Sequence, residues 1–274
     1  MNTMTKTPRY LPRFGVNPFV LALSILVLFY LVLPTLIVIP MSFSASSYLE
    51  FPPREWSLRW YQEYWNSDAW RDATWTSLKA ALITTLFATP FGTAAAYGLH
   101  KITGGLKSAL QLVVLIPLIV PIILVGIGAF HIFAMVGLNS TLTGVVVAHV
   151  ALALPFVVVT VLSGLKSFDF DQERAAISLG ASPIVAFLTV TLPQIRISVH
   201  TGAFMAFITS LDEVVVSMLV SGGENSTLTK RMFAALRDQI DPTIAAISTC
   251  LIAVSIAILA VVQTGASKKR QIES

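Results

Sequence analysis

Arg174-Ala-Ala-Ile-Ser-Leu-Gly-Ala-Ser182, followed by Val190-Thr-Leu-Pro193, lies in a polar insert that starts at Lys166 and ends at Arg196, between two long apolar runs. Asp169, Asp171 and Glu173 precede a helix-like stretch and suit the positive end of its dipole. Gly180 interrupts the pattern, and Ser182-Pro183 reads as the cap and first position of a second short helix that ends near Leu192-Pro193. Two short helices joined at a glycine are therefore expected. Ala175 and Ala176 offer a small, flat surface that a groove on another protein can receive. An ordinary amphipathic connector fits the same residues.

Outward from the insert the chain is apolar. Of 274 residues, 55% are apolar and only 12% are charged, a balance that belongs to lipid rather than water. A spanning helix needs about 20 mostly apolar residues. Six runs qualify: roughly 18–43, 77–99, 108–133, 141–164, 198–221 and 243–265. The expected fold is an all-α polytopic membrane protein, a single domain over 1–274 with no visible internal repeat. Lys6, Arg9 and Arg13 before the first run mimic a signal peptide, but a run of that length is too long for a removable core and reads as an anchor.

An even number of spans puts both ends on one side, and the basic residues choose the side. With the N-terminus inside, eleven Lys and Arg face four acids on the inner side, against seven and eight outside. The expected topology is N-in, C-in, with the insert cytoplasmic. The basic residues form no single patch, so lipid rather than nucleic acid is the expected anionic partner. Cys250 stands alone in an apolar run and reads as a small hydrophobe. All five tryptophans, Trp56, Trp60, Trp65, Trp70 and Trp75, fall after the first run. They fit an interfacial helix, and equally a platform for an outer binding protein.

Asp212 and Glu213 are the acids well inside an apolar run, and an ionisable group there is a functional-site hypothesis. On a continuous helix Thr209, Glu213 and Ser217 form one polar stripe, with Asp212 about 100° to its side. Glu213 is expected to face a translocation path and Asp212 to position or gate it. Such carboxylates suit a cationic substrate, because they offset part of the cost of stripping water from an ammonium. His131 and His149 lack a second ligand at metal spacing, and His149 is expected to hydrogen-bond across helices. No phosphate-cradling glycine loop and no Ser/His/Asp set is present. An enzyme is not expected.

The insert resembles the "EAA" loop of permease subunits in binding-protein-dependent ABC importers, whose pattern is Glu-Ala-Ala, three residues, Gly, nine residues, Ile-x-Leu-Pro. Ala175, Ala176, Gly180, Val190, Leu192 and Pro193 match in register, with Val for Ile. Arg174 stands at the glutamate position and Glu173 one residue earlier. Phe51-Pro-Pro, Ser57-Leu-Arg-Trp-Tyr61, His149 through Pro155, Ser210-Leu-Asp-Glu213 and Asp241-Pro-Thr-Ile-Ala-Ala-Ile-Ser248 are most like the spermidine/putrescine permease group. Thr227-Leu-Thr229 departs from that group's Thr-Leu-Pro. Importers of iron(III), phosphonates or opines share much of the pattern.

The resemblance implies a type I importer permease in a bacterial inner membrane. Its implied partners are a second, related permease in a heterodimer, an outer solute-binding protein and a dimer of cytoplasmic ATPases. The permease itself needs no cofactor, and ATP and Mg sit on the ATPase. Glu173, Arg174, Ala175, Ala176, Gly180, Leu192 and Pro193 are then the residues that couple to the ATPase. A stand-alone secondary carrier, for which the insert is a connector, is the competing expectation.

Overall fold

Caps and breakers set the boundaries of a chain built from helices. The computed structural model describes residues 17–238 and 240–256, and among them no strand forms. The Asn17 side chain accepts from Phe19 N and Pro18 takes the first helical position, starting α1 at Pro18–Met41. α2 is Arg59–Asn66 and α3 is Asp68–Lys101. α4 is Gly105–Ile119 and α5 is Ile122–Val136, which Gly137 ends in the left-handed region at φ +71°. The Thr141 hydroxyl accepts from Gly144 N at 3.0 Å to cap α6, Leu142–Lys166. The insert gives α7 at Asp171–Ser178, α8 at Pro183–Ala186, a π turn at Phe187–Thr191 and α9 at Leu192–Gln194. Then follow α10 (Arg196–Asp212), α11 (Val215–Val220), α12 (Leu228–Asp238) and α13 (Thr243–Ile256).

α1, α3 and α6 are each long and apolar enough to cross a membrane, and they cover the runs expected at 18–43, 77–99 and 141–164. Two other runs are bent or broken. The run at 108–133 is not one straight helix, because α4 and α5 meet at 96°. Val120 is extended (φ −72°, ψ 134°) ahead of Pro121, which has no amide hydrogen to continue the helix. The run at 198–221 breaks after Asp212, where Glu213 leaves the helix at ψ 113° and α11 begins anew. α13 is described to Ile256; residues 257–265 of the sixth run lie outside the described residues, as do Lys6, Arg9, Arg13, Lys268, Lys269 and Arg270.

The described residues divide into two compact units, one of those up to Tyr61 together with those from Pro242, the other of those between Gln62 and Asp241. In the first, the segment after α1 folds back on itself. Ser57 N donates to Phe43 O at 2.7 Å, Ala45 N donates to Glu55 O at 3.0 Å, and the Ser42 and Tyr61 hydroxyls bond at 2.7 Å.

In the second unit α3, α6 and α10 pack pairwise around Ala88, Ala96, Val157, Val161, Leu165 and Ala206. Small residues let these backbones approach. A Cβ on Gly92 would sit 2.6 Å from Val157 Cβ, and one on Gly202 would sit 3.3 Å from Val157 Cα. Val157 of α6 is thus held between glycines of the two neighbouring helices. Gly92→Val overpacks this contact and should cost about 1–3 kcal/mol. The expected result is a lower midpoint in a thermal size-exclusion assay of the detergent-solubilised chain. An unshifted midpoint would mean that α3 and α6 do not meet here.

Candidate functional site

The insert forms the expected pair of short helices. Gly180 joins them at φ +98°, a backbone that residues with a side chain rarely adopt. The Ser182 hydroxyl accepts from Val185 N at the start of α8, with Pro183 in first position. Pro193 has no donor for a carbonyl one turn back, and the π turn just before it widens the backbone to accommodate the ring.

Glu173 and Arg174 face opposite ways. Glu173 is 1% exposed, and its carboxylate is turned onto the end of α3. It accepts from the Tyr97 hydroxyl at 2.7 Å and from Lys101 Nζ at 2.6 Å, and on its other oxygen from the Thr191 hydroxyl. Lys101 also lies over the rings of Tyr97 and Phe170, at 5.0 and 4.8 Å. Burial raises the Glu173 pKa, but the hydrogen bonds from Lys101, Thr191 and Tyr97 outweigh it and hold the carboxyl below its ordinary value. Arg174 is exposed and pairs with Asp171 one turn earlier, a surface pair of little energetic weight. The acidic group next to the Ala-Ala pair is therefore internal, and the outward group is a guanidinium. Ala175 is exposed and Ala176 half-buried beside it.

Sequence reading missed the apolar residues on the same outer surface. Leu179 is 89% exposed and Ile184 is 72% exposed, with Leu188 and Val185 nearby in the chain and also exposed. Large apolar side chains in a polar connector were the available signal. A surface of this kind marks an interaction site. Lys101 and Tyr97 were also missed, since nothing local links them to a glutamate more than seventy residues away.

The irregular backbone of α4/α5 and of α10/α11 lines one cavity. Its volume is about 580 Å³, and its wall includes Val120 and Pro121 at the bend, Phe156 of α6, and Thr209, Asp212 and Glu213 at the end of α10. Asp212 is exposed, whereas Glu213 is 8% exposed and its carboxylate accepts from Val216 N at 2.8 Å. Glu213 thus caps the first turn of α11, and Asp212 is the carboxylate open to the cavity. Both acids line the cavity, and Asp212 is the more exposed of the two. The expected stripe of Thr209, Glu213 and Ser217 does not form, because the helix that would carry it breaks at Glu213. Thr209 stays on the cavity wall, while Ser217 is buried against His149.

A larger cavity, of about 660 Å³, also carries two acids, Asp72 and Glu224, but sets Lys79 beside them. One of about 410 Å³ is lined by Ile83, Phe87, Phe91, Val146 and other apolar groups with Thr143. Among the described residues no group of three or more His, Cys, Asp or Glu is placed to hold a metal. The tryptophans divide: Trp56, Trp65 and Trp75 are 59–69% exposed, whereas Trp60 and Trp70 are buried. Trp70 lies under the Arg231 guanidinium at 5.1 Å.

Comparison with known proteins places this arrangement. Residues 88–270 match the family described as binding-protein-dependent transport system inner membrane component. A spermidine/putrescine transport system permease protein, PotC, of Haemophilus influenzae is 31% identical over 235 residues, 85% of this chain and 91% of the relative. A putrescine transport system permease protein, PotI, of Escherichia coli is 30% identical over 244 residues, covering 86% of each. A bacterial ABC transporter that imports the acidic polysaccharide alginate has a chain that superposes at a TM-score of 0.72 with 15% identity, covering 94% of this chain and 99% of its own. The fold is that of an importer permease, and the motif register, the matched residues and the relatives agree. The chain belongs to the family of binding-protein-dependent transport system inner membrane components, as a permease subunit of an ABC importer.

Proposed function

We propose that this permease carries a polyamine of the spermidine/putrescine class across the inner membrane, in an assembly driven by separate ATPase subunits. The observation that carries the substrate reading is Asp212, an exposed carboxylate on a cavity of about 580 Å³ whose other walls are mainly apolar. A desolvated ammonium needs such a partner, and the methylene segments of a polyamine suit the apolar wall. The relatives named for spermidine and putrescine support the same class.

The chain crosses the membrane six times with both ends inside. It pairs with a second, related permease, receives substrate from an outer solute-binding protein, and meets a dimer of ATPases through the insert. ATP and Mg are held by those ATPases, and no cofactor is held by this chain. Arg174, Ala175 and Ala176 present the contact surface with Leu179 and Ile184, and Gly180 gives the turn between the two helices. Glu173 ties that surface to the end of α3, and Leu192 and Pro193 complete the coupling loop. ATP-driven closure of the ATPase dimer then moves α7 together with α3, on which Glu173 is bonded, and so changes the exposure of the cavity.

Co-purification tests the assembly. The ATPase should remain bound to the wild-type chain and be lost with Gly180→Trp, which adds a bulky side chain on the docking surface at a strained φ. It should also be lost with Leu179→Asp, whose exposed position predicts a stability change within about 0.5 kcal/mol. Normal uptake with no ATPase bound would favour a stand-alone carrier instead.

A further inference from the structure

The break after Asp212 is tied from three directions, and one tie comes from a residue with no contact to the cavity. His149, 1% exposed on α6, places Nδ1 2.8 Å from the Ser210 hydroxyl on α10 and Nε2 3.0 Å from the Ser217 hydroxyl on α11. Its ring therefore bridges the two helices on either side of the break. Thr229, at the start of α12, donates its hydroxyl to Glu213 O at 2.8 Å, and Leu228 N donates to the Ser77 hydroxyl of α3 at 2.8 Å. The Glu213 carboxylate satisfies Val216 N. Broken backbone at membrane depth is tolerated only where protein or a cavity provides for it, and these bonds do so.

We infer that His149 is a positioning residue: by clipping Ser210 to Ser217 it keeps the break open and so holds Asp212 toward the cavity. Without the clip, only the Glu213 carboxylate and the Thr229 bond oppose a return of the backbone after Asp212 to the helix of α10. That changes the course of the backbone at Asp212 and withdraws its side chain from the cavity. A neutral imidazole suits the task because it offers one donor and one acceptor on opposite sides of a rigid ring. The inference rests on the cavity described above as the substrate path, but not on the identity of the substrate.

Cys250 is the only cysteine, so Cys250→Ser gives a clean background. In that background, Asp212→Cys is labelled with a membrane-impermeant cationic thiosulfonate in the assembled importer, without added substrate. Glu224→Cys, at an exposed turn, is the control. His149→Leu should slow labelling at residue 212 by at least fivefold and leave residue 224 unchanged. Ser210→Ala with Ser217→Ala should reproduce the slowing, and His149→Gln, which keeps one donor and one acceptor, should largely restore the rate. An unchanged or faster rate at residue 212 overturns the inference, as does equal slowing at both positions, which marks a general loss of packing. A failure of the polyamine reading shows separately, as absence of polyamine uptake by the wild type, and leaves the labelling result standing.

Discussion

Asp212→Asn should lower ATP-driven polyamine uptake about 10- to 100-fold while leaving the ATPase bound. The variant removes a charge and keeps the shape. A hydrogen bond to a charged partner is worth about 1.5–3 kcal/mol, and 1.4 kcal/mol is a factor of ten. The loss should fall on cationic solutes with two or more ammonium groups. Glu213→Gln should behave differently, since its side-chain oxygen can still accept from Val216 N and cap α11. Its expected defect is smaller. Uptake rates for the two variants, measured side by side in proteoliposomes, check the order. A larger defect for Glu213→Gln would return the path role to that residue.

Glu173→Ala should uncouple the importer. The change leaves the Tyr97 and Thr191 hydroxyls without their acceptor, while the half-exposed Lys101 is partly rehydrated. Unmet buried hydroxyls cost about 1–3 kcal/mol each, and the lysine adds little. Undocking of the insert from α3 is thus favoured by about 2–6 kcal/mol, at least tenfold in the docking equilibrium. ATP hydrolysis should continue while uptake falls by tenfold or more. Lys101→Ala should give a weaker form of the same phenotype, and Arg174→Glu should leave the internal contact intact. Retained coupling in Glu173→Ala would remove this carboxylate from the transmission route.

The sign of the pH effect follows from the lowered Glu173 pKa. A carboxyl depressed in the folded protein stabilises above its ordinary value, near 4.3, and that contribution is lost as pH falls through the lower folded value. Coupling should therefore be flat between pH 6 and 8 as far as this group is concerned. Limited proteolysis should open the insert only in stronger acid.

The insert was legible because its turn chemistry is local. Gly180, Ser182 and Pro193 each dictate a backbone state by their own structure, so both short helices and their junction are readable from the residues. Hydropathy located α1, α3 and α6 for the same reason, since each is one long apolar run. It could not see the break at Glu213, because apolar residues continue on both sides and a hydropathy window carries no direction. The capping carboxylate three residues ahead of Val216 and the His149 clip are tertiary facts. Pro121 sits at the sharp bend, but five other prolines, Pro34, Pro40, Pro90, Pro117 and Pro155, lie inside continuous helices, and neighbouring packing decides which one turns the chain. The opposite facing of Glu173 and Arg174 was also hidden, since it depends on Tyr97 and Lys101 at the end of α3.

The most direct test is the initial rate of ATP-driven uptake by proteoliposomes holding the complete importer, offered labelled putrescine or spermidine against a phosphonate, an opine and a ferric complex. The proposed function predicts that the polyamines enter fastest, only with ATP on the insert side, and that Asp212→Asn abolishes their advantage. Faster entry of an anionic solute, or polyamine entry without ATP, would contradict it.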